Sequence, residues 1–600
     1  MTKHDTSRSS FSNRGGNAES LRPAHPKGSP TVTDGIRSGL AQYGDAELSF
    51  FLRKAFIKAM GYSDEALERP IVAITDTFSG YNGCHRTVPD LIAAIERGVM
   101  HAGGLPIRFP TISIHESFSH PTSMFLRNLM AMDTEEMVRA QPMDAVVLIG
   151  GCDKTVPALL MGAASAGIPA ILEVTGPMMT GHFRGERLGA CTDCRRLWSL
   201  YRAGDMDEAE IETAGGRLMP TAGTCMVMGT ASTMALMSET IGMMLPGGAA
   251  IPAVHADRLR HAEATGARAV ALAAEGLTPD RVMTPAAFRN AFRMLLAVGG
   301  STNGLIHMAA GAGRLGIEVD LAAIDAMGRE TPVLVDLKPS GQHYMEDLHR
   351  AGGAAPILRE LRDMLDLDAL TVTGRTLGEE IDRAPEEPGQ TVVRPLADPI
   401  WPEGGVAVLR GTLAPGTAVI KQSAASPELL AHEGRAVVFD GLEDLAARID
   451  DPDLDVAADD VLVLRNAGPK GAPGMPEAGS MPIPKKLAAK GVRDMVRISD
   501  ARMSGTAFGT IVLHCCPEAA VGGPLALVRT GDRIRLDTPA RRLDLLVDEA
   551  ELARRRVGWR PPVHAGAERG YLKLYLDTVT QANRGCDFDF LAKADAPGTG

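Results

Sequence analysis

Three cysteines of the chain occupy surroundings that look alike. Cys84 lies in Gly83-Cys-His-Arg-Thr-Val-Pro89 and Cys152 in Gly151-Cys-Asp-Lys-Thr-Val-Pro157, two segments that share Gly-Cys-x-basic-Thr-Val-Pro. Each follows a short apolar run, Ile71-Val-Ala-Ile74 or Ala145-Val-Val-Leu-Ile149, that reads as a buried parallel strand, and each precedes a helical pattern. Thr87 and Thr155 are suitable N-caps, and proline is tolerated in a first helical turn, so the echo is at least a pair of helix starts. It also sets both thiols at the carboxyl ends of strands, the edge where open α/β sheets bind ligands. Cys225, in Thr221-Ala-Gly-Thr-Cys-Met-Val-Met-Gly-Thr-Ala-Ser-Thr233, sits in a similar Gly/Thr loop ahead of a helix. A single free cysteine usually buries as a small hydrophobe. Three in such loops, leaving one coordination position open, suit an iron–sulfur cluster that also acts on a substrate. Zinc on Cys191-Thr-Asp-Cys194 is the rival, without the second Cys pair that a zinc ribbon needs. Cys515 and Cys516 read as core thiols on a strand.

Hard ligands accompany these soft ones. Asp153 directly follows Cys152, Glu116 follows a strand expected at Thr111-Ile-Ser-Ile114, and Glu477 closes the loop Gly471-Ala-Pro-Gly-Met-Pro-Glu477. Carboxylates from separated loops suit Mg²⁺, which keeps waters that substrate oxygens can replace; read one at a time, they are solvated surface acids. Lys154 reads as a salt-bridge partner. Ser504, in Ser499-Asp-Ala-Arg-Met-Ser-Gly-Thr-Ala-Phe-Gly-Thr510, could act as a base if a nearby positive charge lowered its pKa, and no Gly-x-Ser-x-Gly elbow points to an acyl hydrolase. Gly299-Gly-Ser-Thr-Asn-Gly304 could cradle an anion with backbone amides or simply start a helix. The Met-rich stretch from Met226 to Met244 has the spacing of a core helix.

The elements that must position these residues divide the chain. Six hundred residues exceed what one core usually organises. The expected fold class is α/β: a polar tail over 1–40, a doubly wound α/β domain over 41–385, a Pro/Glu/Arg-rich linker over 386–400, and a β-rich, barrel-like domain over 401–595. In the last domain Gly405–Arg410, Arg435–Phe439, Asp460–Arg465, Arg533–Asp537 and Arg542–Val547 read as strands, and 545–556 turns helical. Sixty-two Lys and Arg against 74 Asp and Glu give a net charge of −12, which argues against nucleic acid or an anionic membrane as the main partner. No apolar run approaches the roughly 20 residues that cross a bilayer. Eight cysteines are too few for a disulfide scaffold, and the N-terminal tail has no apolar core of a signal peptide, so a reduced, cytoplasmic protein is expected.

Five segments carry a resemblance: GGCDKTVPALLMGAASAGIP, TAGTCMVMGTASTMALMSE, GGSTNGLIH, SDARMSGTAFGT and PEAAVGGPLALVRTGDRI. Over about residues 45–592 the chain resembles the dehydratases that include dihydroxy-acid dehydratase, 6-phosphogluconate dehydratase and the pentonate and hexonate dehydratases. The closing GCDFDFL and the Ala-Gly-Thr-Cys225-Met flank look like the sugar-acid branch, the arabinonate- and xylonate-type enzymes. The resemblance implies that Cys84, Cys152 and Cys225 hold a [2Fe–2S] cluster, that Glu116, Asp153 and Glu477 hold Mg²⁺ with Lys154 as a carbamylated ligand, and that Ser504 is catalytic. It implies no ligand role for Cys191, Cys194, Cys515, Cys516 or Cys586. The reaction it implies removes the C2 proton and the C3 hydroxyl of a polyhydroxy acid, giving a 2-keto-3-deoxy acid, in a homodimer or homotetramer. A dihydroxy-acid dehydratase of branched-chain amino acid biosynthesis is the alternative, and an iron–sulfur sensor or structural protein the non-enzymatic one. 6-Phosphogluconate would call for clustered Arg or Lys, and none stands out along the chain. Asp76, Phe78 and Gly83 depart from the family pattern around the first cysteine.

Overall fold

The computed structural model describes residues 34–593; most of the expected tail lies outside them. The first domain is built on a parallel four-stranded sheet, β1 (Ile71–Asp76), β2 (Leu105–Pro110), β3 (Ala145–Gly150) and β4 (Ala170–Val174), in the order β2-β1-β3-β4. β1, β3 and β4 are buried almost throughout, as expected for apolar, β-branched runs in a parallel sheet. The chain steps outward from β1 to β2 through the helix Val88–His101, and outward in the opposite direction from β3 to β4 through Thr155–Ala166. Parallel crossovers are right-handed, so two crossovers running in opposite directions lay their helices on opposite faces. The result is a doubly wound sheet whose direction of winding reverses between β1 and β3. The carboxyl ends of those two strands therefore border a crevice, and Cys84 and Cys152 follow them.

Two local expectations differ in the structure. Thr111–Ile114 is not a strand. β2 ends at Pro110, paired with Asp76 at the end of β1, and the Ile112 amide is taken by the Asp133 carboxylate at 3.0 Å, which leaves no ladder to continue. Thr155 is the first residue of its helix rather than its cap; its hydroxyl donates to the Cys152 carbonyl at 2.8 Å. Thr87 occupies the N-cap position without a side-chain cap bond.

A short hairpin, β5 (Gly181–Phe183) and β6 (Glu186–Leu188), leads to the helix Thr192–Ala203, and the Met-rich segment forms the fully buried helix Thr230–Thr240. The stretch 386–400 is pinned to the first domain, with Asp336 N–H donating to Val392 O and Arg394 N–H to Leu334 O. Beyond it an eight-stranded mixed sheet runs β14-β13-β9-β10-β11-β12-β8-β7, from β7 (Ala407–Leu409), β8 (Thr417–Ile420), β9 (Ala431–Asp440), β10 (Val461–Arg465), β11 (Arg497–Ser499), β12 (Ile511–Cys516), β13 (Arg533–Asp537) and β14 (Arg542–Leu545). A bridge between Arg410 and Arg542 brings its two edges together, so the sheet nearly closes into a barrel, with an apolar core that includes Leu409, Ile420, Val463, Ile498, Val512, Ile534 and Leu543. Closure removes the unpaired edges that an open sheet would expose.

The last described residues return to the first domain. The guanidinium of Arg127, fully buried in the helix Ser123–Ala140, donates to the carbonyls of Gly585 and Cys586 at 2.8 and 3.0 Å, and Arg314 pairs with Asp587 at 2.6 Å. The Gly-Cys-Asp-Phe-Asp-Phe motif thus serves as a clamp between distant parts of the chain. Replacing Arg127 by Ala leaves the Gly585 carbonyl without its side-chain donor, while Asn128 Nδ2 still donates to the Cys586 carbonyl at 2.9 Å, and opens a void; the expected loss is about 3 kcal/mol, read as a lower denaturant midpoint together with faster proteolysis near residue 585.

Candidate functional site

His85 joins the two loops at the crevice. Its Nδ1 lies 2.8 Å from the Thr77 carbonyl, and its Nε2 lies 3.0 and 3.2 Å from the amide nitrogens of Gly151 and Cys152. Those partners require a neutral ring that donates from Nδ1 and accepts at Nε2, and burial lowers its pKa to about 4 in agreement. Asn82, two residues before Cys84, donates to Ser113 Oγ and to the Ile114 carbonyl, both at 3.1 Å, fastening the same loop to the segment that carries His115 and Glu116. Gly151 has to be glycine: a Cβ there would meet Thr175 Oγ1 at 1.8 Å. Open space surrounds Gly83, and Asp76 accepts the Phe78 amide at 3.1 Å, so two of the three departures from the family pattern have a local account and Phe78 is simply exposed.

The thiols form two neighbouring groups. Donor atoms of Cys84, His115 and Cys152 all lie within 4.8 Å of one another. The hydrogen bond with Cys152, aided by His115, holds the Cys84 thiol down at about 6, and the same interaction, with burial, pushes Cys152 well up. Cys225 instead lies 3.5 Å from Cys191, sulfur to sulfur, and that contact followed by burial raises its pKa; the Cys84 charge is also felt there. Cys194 packs with the same pair. Sequence reasoning weighed Cys191 and Cys194 only as a rival zinc pair, apart from Cys225, and gave His115 no part. The Cys-x-x-Cys spacing at a helix start was the available signal for the thiols, and nothing along the chain marked His115.

The acids form a third group, which begins one residue from the first. Single oxygens of Glu116, Asp153 and Glu477 lie within 4.8 Å of one another, and Cys152 Sγ is 3.6 Å from Asp153 Oδ1. Lys154, fully buried, sits among the three carboxylates: Nζ bonds Asp153 and lies 3.8 Å from Glu116 and 3.9 Å from Glu477. Arg502, also fully buried, donates to Glu116 at 3.0 Å and to Glu477. Burial pushes Glu116 up, but Arg502, Lys154 and the hydroxyls of Ser123 and Thr122 together carry it well below the usual carboxylate range. Glu477, buried more completely, is pushed up instead. Arg502 belongs to this acid group and was missed by sequence reasoning, although it stands two residues before Ser504.

Ser504 is half-buried, its Oγ 2.8 Å from Thr506 Oγ1. The loop around it is held by the first domain and by Lys421. Asn303 Nδ2 donates to the Met503 carbonyl at 3.0 Å, Thr192 Oγ1 to the Thr506 carbonyl at 2.9 Å, and buried Lys421 Nζ to the Gly505 carbonyl at 2.9 Å. Gly505 admits no side chain, since a Cβ would lie 2.5 Å from Ser301 Cβ. The Gly299–Gly304 motif is therefore a helix start that buttresses the Ser504 loop.

The donor sets suit two different groups: three convergent carboxylates suit a hard divalent cation, and the clustered thiols suit iron and sulfide. The family models supply the identity. The dihydroxy-acid/6-phosphogluconate dehydratase N-terminal model matches residues 69–380, and its C-terminal counterpart matches 391–586. The chain belongs to this family. It is 46% identical over 552 residues to an L-arabinonate dehydratase of Rhizobium leguminosarum bv. trifolii, covering 92% of this chain and 95% of that protein. It is 45% identical over 536 residues to a 6-deoxy-6-sulfo-D-gluconate dehydratase of Pseudomonas putida, covering 89% and 92%. A dihydroxy-acid dehydratase of Ignicoccus hospitalis is 39% identical over 543 residues, covering 89% and 96%. The protein is thus a dehydratase, a hydro-lyase. Among the described residues of this dehydratase no helix is long and apolar enough to cross a membrane.

Neutral His85 gives the site an acid limit. Its folded-state pKa, about 4, lies below the ordinary 6.5, so its contribution to stability is complete above pH 6.5 and is lost as pH falls through 4, about 3 kcal/mol in all. Thermal melts of His85→Asn and wild type should show a gap that is widest at pH 7.5 and narrows toward pH 4.5; a constant gap would mean that the ring is not held neutral.

Proposed function

We propose that this dehydratase acts on a sugar acid, an aldonate, and converts it to the 2-keto-3-deoxy acid. The observation that carries the reading is the junction at Cys152–Asp153, where a soft donor set and a hard one meet across a single peptide bond. Losing water from a 2,3-dihydroxy acid demands help at two adjacent carbons: removal of a weakly acidic proton at C2 and departure of hydroxide at C3. In this reading Glu116, Asp153 and Glu477, with Lys154 carbamylated, hold Mg²⁺, and Cys84, Cys152 and Cys225 hold a [2Fe–2S] cluster. When bound, these groups supply Lewis acidity, at the carboxylate and C2 hydroxyl in the first case and at the C3 hydroxyl in the second. Ser504, as its alkoxide, takes the C2 proton; the C2–H electrons form the C2–C3 double bond while the C3–O bond breaks and hydroxide leaves, the proton now on Ser504 passes to that hydroxide to give water and restore the alkoxide, and the enol tautomerises to the ketone. Thr506 orients the Ser504 hydroxyl, and Asn303 and Lys421 hold the loop that aims it.

The similarity to an arabinonate and a sulfogluconate dehydratase supports an aldonate over a branched-chain dihydroxy acid, since identity to the dihydroxy-acid dehydratase is lower, 39% against 46% and 45%.

The test is 2-keto acid formation by anaerobically purified protein with Mg²⁺, over pentonates, hexonates and 2,3-dihydroxyisovalerate. Turnover of an aldonate is expected; preference for dihydroxyisovalerate would move the protein to the branched-chain reaction. Ser504→Ala should lower kcat roughly 10³-fold while the visible absorbance of the cluster stays. A pure iron–sulfur sensor would show no turnover in the parent protein either. Cys225→Ser should abolish that absorbance, and an unchanged spectrum would remove Cys225 from the ligand set.

A further inference from the structure

A cavity of about 370 Å³ opens beside Glu477, and folding brings four arginines to its wall: Arg195, Arg202, Arg493 and Arg497. They are dispersed along the chain, which is why no basic cluster is visible in the sequence. Three of them are neutralised, Arg202 by Asp450 at 2.7 Å, Arg493 by Asp205 at 3.3 Å and Arg497 by Asp494 at 2.6 Å. Arg195 makes no ion pair among the described residues. Its Nη1 reaches only Ser480 Oγ, at 3.3 Å, and its Nε is buried without any hydrogen-bond partner. A half-buried guanidinium with a spare, desolvated N–H is costly for a folded chain unless an acceptor arrives from outside, and a planar fork of donors matches an oxyanion.

The position of Arg195 says which part of a substrate it meets. Glu477 lines the same cavity, so the space opens onto the acid group. Arg195 also directly follows Cys194, and its charge is felt at both Cys191 and Cys194, so it lies on the side of the thiols. An aldonate with C1 and C2 at the acids and C3 at the thiols would run its remaining carbons past the thiols into this cavity. We infer that Arg195, with Ser480, binds a negatively charged group at the far end of the substrate, so that the preferred substrate is an aldonate ending in a sulfonate, a phosphate ester or a second carboxylate. The inference rests on the aldonate reading of the site. Trp198 and Phe508 complete the wall and present apolar surface to the carbon chain between the two charged ends.

The experiment compares kcat/KM of the holoenzyme for gluconate with that for 6-phosphogluconate, 6-deoxy-6-sulfogluconate and glucarate, in wild type, Arg195→Gln and Arg195→Lys. Wild type should favour at least one of the charged-ended acids. Arg195→Gln should reduce that preference roughly 30-fold, chiefly through KM, as loss of one charge-assisted contact does, and Arg195→Lys should restore part of it. A preference that Arg195→Gln leaves unaltered overturns the inference. So does an equal loss on gluconate and on the charged-ended acids, because Arg195 would then serve the carboxylate common to all of them or only the fold. If no aldonate turns over in wild type with its cluster intact, the aldonate reading itself falls. Calorimetric binding of 6-phosphogluconate then still decides for Arg195: weaker binding by Arg195→Gln supports an anion site, and equal binding overturns it.

Discussion

Three carboxylates held within 4.8 Å of one another repel strongly, and the fold around them is arranged to make that proximity tolerable. At such separations and reduced dielectric, each like-charge pair is unfavourable by several kcal/mol. Two fully buried cations offset it: Lys154, from the loop after β3, and Arg502, from the loop after β11. Because Arg502 links Glu116 of the first domain to Glu477 of the second, the same pairing that neutralises the acids also draws the two domains together over the crevice. Removing either cation alone would leave a buried charge uncompensated, which is more damaging than the pair is stabilising.

The remainder of the site follows from the point where the winding of the first sheet reverses. Two crossovers in opposite directions leave the ends of β1 and β3 uncovered side by side, and the Gly-Cys-x-basic-Thr-Val-Pro segments occupy those ends. A neutral imidazole then locks one loop to the other through the amides of Gly151 and Cys152. The soft donors inherit their spacing from the separation of neighbouring strands. The hard donors need a longer reach, which the loop carrying Glu477 supplies from across the molecule. That loop is itself anchored, because Glu518 accepts the amides of Lys470 and Gly471.

Much of this was legible in the chain. Strand-like apolar runs, each followed by a loop that carries Gly-Cys, announced both the sheet and the edge on which ligands would sit, because burial on two faces leaves a continuous apolar signature. The β-rich second domain was legible for the same reason, although its central strands are parallel and its near-closure depends on a bridge between Arg410 and Arg542 that no local pattern encodes. Thr111–Ile114 misled because a short run of strand-forming residues says nothing about whether a partner strand still runs alongside. The contact of Cys191 with Cys225, the role of Arg502 and the gathering of four arginines around one cavity are products of long-range packing. Their spacing in sequence carries no trace of their spacing in space.

The clamp at Gly585–Asp587 bears on the order in which a newly made chain can mature. Arg127 finds its carbonyl partners 458 and 459 residues further on. At roughly 5–20 residues per second on a ribosome, that interval is on the order of 20–90 s, during which the helix that follows Glu116 has only nearer partners such as Asn128 for its guanidinium. A chain still being synthesised therefore has its first two cysteines in place well before its acid group can be enclosed. Anything that reaches the crevice early would meet it open on the side of the second domain, and anything that arrives after release would meet it shut.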